Sequence, residues 1–546
     1  MQYVLPFILA MVVTMAWLPV LVRLSNRWLL IDQPGERKVH MTPIPRVGGL
    51  AMATGVFIAA LLTIKLQTQD RWFLFAGAVL IVFGAVDDRY DLNYRIKLAG
   101  QLLAVGVVVI LGGVRIHSLS FDESVALPSW VSVPLTVFFL VGITNAINLA
   151  DGLDGLAGGT TFLCLCAVAL LSSIGDPGSS TALALAFAGA TLGFLRFNTF
   201  PASVFMGDAG SQLLGFTVGV LSVRATQSAT SQISAALPVL LLALPILDTL
   251  SVMMQRIGEG RSPFSADKNH IHHKLLAMGF FHHEAVMVIY TIQAGLLVLA
   301  YFLRYESDAV IVGVVVAFFA FSISLFQWTT RTGWRIRALG IATGDPQAPK
   351  FFGLTDKAQL LPRLSYAALA MGLAVYACVI VLETAALSSD IGILIGALLA
   401  VTLGSLVIVR AAPVSIIEKG VLFVTATLLV YVDALVLPAN PLFSGIGWFA
   451  VGIVAISSAV RLRLFNDRRF ELTPLDIIVL FMALVVPSLI GNLPLPLGGS
   501  LAIAKLVILL YGIEMLVNRS EGRAVWVRVA AVSVLAALAM RSLASL

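Results

Sequence analysis

Five aspartates gathered in three short stretches are the residues of this chain best placed to do chemistry. Asp87 and Asp88 stand side by side where a long apolar run ends, in "FGAVDDRYDLNYRIKLAGQLL" (83–103). Asp151 and Asp154 follow Asn145 and Asn148 at three-residue spacing in "NAINLADGLDGLAGG" (145–159). Asp208 lies between Gly207 and Gly210 in "RFNTFPASVFMGDAGSQLLGF" (196–216). Asn and Asp at the edge of an apolar span are expensive and usually functional. Asp151 and Asp154 would share a helix face if the helix persisted. The glycines at 152, 155, 158 and 159 argue instead that the backbone loosens and can approach a ligand closely. Taken alone, Asp208 reads as a helix cap. Beside four other acids it reads better as a cation ligand. Hard cations take oxygen ligands, and Mg²⁺ is held by one or two carboxylates together with substrate phosphates.

The counterpart is basic. The stretch "QRIGEGRSPFSADKNHIHHKLLAMGFFHH" (255–283) sets Arg256, Arg261, Lys268 and Lys274 around His270, His272 and His273. A zinc site on a helix wants histidines at i and i+4 plus a further ligand, and His270 and His273 are three apart. Histidines among Arg and Lys fit an anion better, donating hydrogen bonds or carrying a proton near neutral pH. His282, His283 and His117 are read as surface residues. An acid set that holds Mg²⁺ beside a basic set that holds phosphate is what phosphoryl transfer requires: positioning, charge neutralisation and a group that readies the nucleophile.

The elements that must position these groups are membrane helices. Of 546 residues, 59% are hydrophobic and 12% charged, against about 25% charged in a soluble domain, and the mean hydropathy is +0.97. The fold class is therefore all-α, a polytopic transmembrane bundle of about 18 spans, since lipid admits only helices or closed barrels. The run Val4 to Val22 lacks a basic start and a cleavage site and reads as a span. Cys164, Cys166 and Cys378 fall in apolar runs and read as packing residues. Lys and Arg cluster in alternate loops (23–46, 89–97, 255–274, 331–363, 410–419, 461–469, 519–528). That asymmetry, not nucleic-acid binding, accounts for the net charge of +6 and places the acids on the cytoplasmic face.

Five motifs in order carry a resemblance: "DQPGERKVHMTPIPRVGGLA" (32–51), "DDRYDLNYRIKLAGQ" (87–101), "NAINLADGLDGLAGG" (145–159), "NTFPASVFMGDAGS" (198–211) and "SPFSADKNHIHHKLL" (262–276). Together they resemble the polyprenyl-phosphate N-acetylhexosamine-1-phosphate transferases, a superfamily that includes the phospho-MurNAc-pentapeptide translocases. The "HIHH" form looks like the branch that starts O-antigen, enterobacterial common antigen or wall teichoic acid chains. The resemblance implies a multi-pass protein of the bacterial inner membrane. Its reaction would move a sugar 1-phosphate, GlcNAc-1-phosphate first among candidates, from a UDP-sugar to undecaprenyl phosphate, releasing UMP. It implies Mg²⁺, with Mn²⁺ able to substitute. Asp208 resembles the principal metal ligand, and Asp87, with Asp88 beside it, the acid that deprotonates the lipid phosphate. Asn148, Asp151 and Asp154 resemble residues lining the metal and nucleotide pocket. Lys97 and Asn198 match motif positions near the substrate. His270, His272, His273 and Arg261 resemble the loop that engages donor phosphates or sugar. Whether the lipid phosphate attacks directly, which its existing charge favours, or Asp87 first forms a covalent phospho-sugar intermediate stays open.

The likeness covers residues 1–328, a domain of about 11 spans, and then stops. A cytoplasmic linker (329–364) leads into a membrane extension (365–546) of about seven spans and unknown function. Its few charges at membrane depth, Glu383, Asp433, Asp476, Lys505 and Glu514, fit a structural or partner-docking role better than a transport path. A homodimer is left open. The rival class is a transporter or flippase for lipid-linked sugars, which would spread charges through membrane depth; here they gather at one surface.

Overall fold

Apolar runs of this length satisfy their backbone in lipid by becoming helices, and helices make up most of the described residues of the computed structural model. It describes residues 3–33, 43–120, 124–175, 178–228, 232–262, 269–336 and 360–384, and shorter stretches from 395 to 543, the longest being 441–464 and 524–543. Among the described residues, nine helices are long and apolar enough to cross a bilayer, and three shorter apolar helices accompany them. Several of the expected spans fall at 385–440 and 465–523, mostly outside the described residues. The chain divides into two compact units. The first comprises Met1–Thr14, Leu21–Gly344 and Thr473–Ile478; the second comprises Met15–Val20, Asp345–Leu472 and Val479–Leu546.

In the first unit the order is α1 (Val4–Trp28), the hairpin β1 (Ile31–Asp32) and β2 (Ile44–Pro45), α2 (Gly48–Thr63), α3 (Thr68–Tyr90) and α4 (Tyr94–Gly106), which runs on into a π-helical turn. The hairpin β3 (Ser118–Ser120) and β4 (Ser124–Ala126) precedes α5 (Ser129–Ala150), α6 (Leu156–Gly175), α7 (Ser179–Asn198) and α8 (Gly207–Thr226). The short α9 (Leu237–Leu241), α10 (Ala243–Gly258), the short α11 (Ile271–Ala277), α12 (His282–Phe302) and α13 (Asp308–Thr332) complete it.

Helix α8 is the axis of this unit, buried from Ala209 to Val223 without interruption. It packs against α2, α3, α5 and α6. It can carry Asp208, Gln212, Thr217 and Arg224 because protein, not lipid, surrounds it. Small residues let its neighbours close in, as at membrane helix crossings generally. A Cβ at Gly84 of α3 would overlap the backbone of Ala209, and one at Gly49 of α2 would overlap that of Gly210. Two polar clamps fix the crossings. Arg224 meets Asp70, which is fully buried in α3, at 2.8 Å. Gln101 of α4 donates to Gln212 of α8 at 3.2 Å, and Asn145 of α5 donates to Gln101 at 2.7 Å. Backbone hydrogen bonds tie the β2 segment to the loop before α8: Phe205 N donates to Pro45 O at 2.8 Å, and Gly48 N to Phe205 O at 3.0 Å.

In the second unit α14 (Leu360–Glu383) packs on α15 (Pro441–Leu464), with α16 (Ala524–Leu543) beside α14. Two of the expected intramembrane charges, Asp433 and Lys505, form one cluster. Lys505 pairs with Asp433 at 2.5 Å, Tyr376 OH donates to the same Asp433 oxygen at 2.9 Å, and Lys505 stands over the Trp448 ring at 4.4 Å. Asp476 and Glu514 lie outside the described residues. Removing one member of such a pair strands the other, at a cost of about 3 kcal/mol. Lys505→Met should therefore destabilise the protein more than Lys505→Met combined with Asp433→Leu, as read by thermal unfolding in detergent. Equal losses would remove the pairing from the account.

Candidate active site

The end of α3 is shaped by its own acids. Asp91 terminates the helix in the left-handed region (φ 50°), and the Asp87 carboxylate accepts from Leu92 N at 2.7 Å to hold the turn. Asn93 then caps α4 by accepting from Arg95 N at 3.1 Å. This tight exit brings Lys97, in the first turn of α4, back over the acids. Its Nζ lies 2.6 Å from Asp87 Oδ2 and 3.3 Å from Asp208 Oδ2, so one ammonium bridges α3 and α8. Asn148, in the last turn of α5, fixes the other Asp208 oxygen, donating to Oδ1 at 2.6 Å and to Ser211 Oγ at 2.7 Å.

Asp88 faces elsewhere. Its two oxygens accept the Asp208 and Ala209 backbone N–H groups at 2.9 and 3.2 Å. It thus satisfies donors that the start of α8 would otherwise leave bare, with its charge at the positive end of the helix dipole. Arg46, which pairs with Asp32, stands 3.9 Å from Asp88. Gly207 packs directly on that carboxylate with φ +70°.

The glycine-rich loop opens at Asp151, where α5 ends, as its glycines led us to expect. Asp151 is half-buried; burial first, and then the charges of Asp208, Asp88 and Asp154, raise its carboxyl to about 7, against the pull of Arg46. Asp154 Oδ2 accepts from Ala202 N at 2.9 Å. Gly155 takes φ +79°, its N–H donating to Asn198 Oδ1 at 3.0 Å and its carbonyl accepting from Tyr290 OH at 2.6 Å. Asn198 also donates to Val204 O at 2.9 Å, so this buried amide joins two loops.

The histidines are organised by Asp248, a residue that sequence reasoning passed over. His270 Nδ1 sits 2.8 Å from Asp248 Oδ2, and Ile271 N donates to Asp248 Oδ1 at 2.6 Å. The His270, His272 and His273 rings follow one another at 5.7 and 4.2 Å. His272 lies against Gly152, where a Cβ would overlap its ring, and so reaches the Asp151 loop. Burial, and then the neighbouring His273, depress its pKa to about 3. The unfolded chain binds that proton near pH 6.5 and the folded chain does not, so the buried His272 weakens the fold as pH falls from about 6.5 to about 3. His272→Gln should therefore lose less thermal stability than the wild type between pH 7 and pH 5. An identical loss would remove His272 from that role.

Arg261 is exposed and donates to Glu259 at 2.8 Å; residues 263–268 lie outside the described residues. The surface reading of His282 is corrected. Its Nε2 accepts from Asp154 N at 3.0 Å, and its ring stacks on Phe200 at 4.8 Å, because α12 begins beside the acid loop. Asp248 carried an available signal, an acid within "LPILDTL", and Arg46 lay in the 32–51 motif without being given a role; His282 was set aside as a surface residue, since only the fold brings it to the acids.

The cluster thus sets five carboxylates against Lys97 and Arg46. Among the described residues, no group of three or more His, Cys, Asp or Glu is arranged to hold a metal ion by itself. The surplus of hard oxygens, with two half-buried acids at the loop, nonetheless fits a cation that completes its shell with substrate phosphate and water.

Comparison with known proteins places this geometry. Residues 71–226, from α3 through α8, match Glycosyl transferase family 4. A probable undecaprenyl-phosphate N-acetylglucosaminyl 1-phosphate transferase of Bacillus subtilis (strain 168) is 38% identical over 297 residues, 53% of this chain and 82% of that protein. The undecaprenyl-phosphate alpha-N-acetylglucosaminyl 1-phosphate transferase of Escherichia coli (strain K12) is 31% identical over 318 residues, 56% of this chain and 85% of that protein. The decaprenyl-phosphate N-acetylglucosaminephosphotransferase of Mycolicibacterium smegmatis is 36% identical over 298 residues, 49% of this chain and 73% of that protein. Likeness at this identity across most of each relative, with the family match spanning the helices that carry the carboxylates, makes this chain a member of the polyprenyl-phosphate N-acetylglucosaminyl 1-phosphate transferase family.

Proposed function

We propose that residues 1–328 transfer N-acetylhexosamine 1-phosphate, with GlcNAc-1-phosphate the first candidate, from a UDP-sugar to undecaprenyl phosphate. UMP is released, and a lipid-linked cell-surface glycan is started at the cytoplasmic face of a bacterial inner membrane. The observation that carries the reading is Lys97, held between Asp87 and Asp208 where three apolar helices end. An oxygen of the lipid phosphate attacks the sugar-bearing phosphorus of the donor; that P–O bond forms as the bond to UMP breaks, and UMP leaves with the electron pair. Mg²⁺, when bound by Asp208 with Asp151 or Asp154, supplies neutralising charge to the donor phosphates. Lys97 keeps Asp87 and Asp208 from repelling the incoming anion, and Asp87 takes the lipid phosphate's proton where one is present. Both Asp87 oxygens are engaged, one by Leu92 N and one by Lys97. That supports direct attack over a covalent Asp87 intermediate. Asn148 fixes the rotamer of Asp208, Asp88 fixes the start of its helix, and the histidine loop receives the donor.

Sidedness follows from basic residues alternating between loops. UDP-GlcNAc cannot cross a sealed bilayer, so inside-out vesicles supplied with it externally should form lipid-linked sugar. Right-side-out vesicles should do so only once permeabilised. The opposite pattern would overturn the cytoplasmic placement, and a panel of UDP-sugars in the same vesicles names the donor.

A further inference from the structure

The first unit holds a second concave polar site, at the ends of α3 and α8 opposite the acids. It is a cavity of about 360 Å³, and among the described residues no Asp or Glu lines it. Two arginines do, Arg115 and Arg224. The charge of Arg224 is met by Asp70, whose second oxygen accepts from Gln67 N at 2.8 Å, so that carboxylate is spent behind the wall. Arg115 makes no ion pair among the described residues. Its Nε reaches the Val109 carbonyl at 3.4 Å, and its terminal nitrogens have no hydrogen bond among the described residues.

The other donors converge on the same space. Ser179 and Ser180, the first residues of α7, line it. That helix begins at Gly178 with no side-chain cap, so its N-terminal N–H groups and the positive end of its dipole are presented there. Ser172, 7% exposed, also lines the cavity, and its hydroxyl has no hydrogen-bond partner among the described residues. Buried hydroxyls are rarely left unpaired. A guanidinium fork, a helix start whose N-cap is a glycine and an unpaired hydroxyl, with no carboxylate among the described lining residues, are the groups that receive a tetrahedral oxyanion.

We propose that this cavity binds a phosphate-bearing anion, supplied either as the headgroup of a lipid or as a free phosphate ester. Its volume exceeds that of phosphate alone and accommodates an esterified group. The reading stands independently of the transferase chemistry, because none of these residues belongs to the acid cluster.

The test is thermal unfolding of the purified full chain in phospholipid-free detergent, since a ligand that binds only the folded state raises the midpoint. Three probes are titrated against chloride at matched ionic strength: inorganic phosphate, glycerol 3-phosphate and a short-chain phosphatidylglycerol. The wild type should be stabilised beyond the chloride control. Arg115→Gln should weaken that response by about tenfold in apparent affinity, the scale of one charge-assisted hydrogen bond, with turnover of UDP-GlcNAc unchanged. A response to glycerol 3-phosphate identifies a free ester as sufficient; a response to the lipid alone identifies a headgroup. Ser172→Ala, which removes a single hydroxyl, should weaken the response severalfold and decides the matter if Arg115→Gln does not fold. No wild-type response to any probe, or both variants responding as the wild type does, would overturn the proposal.

Discussion

Lys97→Met should lower turnover by about a hundred- to a thousandfold, the scale of losing one preorganised charge at a developing anion. The same change should make the enzyme saturate at lower Mg²⁺. Both follow from one geometry. Lys97 is the cation that touches Asp87 and Asp208 together, at 2.6 and 3.3 Å. Without it the two carboxylates face the lipid phosphate with unrelieved charge, so the anionic nucleophile is repelled. The site becomes more negative by one unit, so a divalent cation binds more tightly. Lys97→Arg should recover little, because a planar fork does not replace a compact ammonium between two acids. Turnover and the half-saturating Mg²⁺ concentration, measured on the same preparation, check the pair of effects. A fall in turnover with a weaker Mg²⁺ response would assign Lys97 to the metal's support and contradict this account.

Gly207→Ala should cost about a hundredfold in turnover without changing any charge. Gly207 holds φ +70°, a conformation that costs an L-residue about 1 kcal/mol or more. An added Cβ would also overlap the Asp88 carboxylate. Since Asp88 holds the Asp208 and Ala209 N–H groups, its displacement releases the start of α8 and carries Asp208 away from Lys97 and Asn148. Gly142→Ala in α5, where a Cβ meets nothing within 4 Å, is the control and should leave turnover unchanged. Circular dichroism and size-exclusion profiles of both variants separate a displaced site from an unfolded protein. Wild-type turnover in a folded Gly207→Ala protein would show that Asp88 does not position Asp208.

Helices and acids were legible in the sequence because each leaves a local mark. Apolar runs announce spans, and Asp87, Asp88, Asp151, Asp154 and Asp208 stand out wherever such runs end. The glycine-rich loop was legible in part: the backbone loosens at Gly152 and at Gly155, which takes a positive φ, whereas Gly158 and Gly159 already belong to α6. What escaped depends on distance in space. Arg46 reaches the site because the backbone around Pro45 and Gly48 bonds to Phe205. His282 reaches it because α12 starts beside Asp154. The division of labour between adjacent acids, Asp87 with Lys97 and Asp88 with the helix start, is set by the approach of Gly84 to Ala209. In the second unit the charges expected at membrane depth were visible, but their pairing as Asp433 with Lys505 was not, since the partners lie on different helices.

The most direct test of the transferase reading uses purified protein in detergent with undecaprenyl phosphate, UDP-GlcNAc and Mg²⁺. UMP release and lipid-linked sugar are followed for the wild type and for Asp208→Asn. Turnover should require the divalent cation, yield UMP and lipid product in equal amounts, and disappear in Asp208→Asn while that protein remains folded. Metal-independent turnover, or Asp208→Asn working at the wild-type rate, would contradict the role given to the carboxylate cluster. No turnover of any UDP-N-acetylhexosamine by folded wild-type protein would contradict the transferase itself.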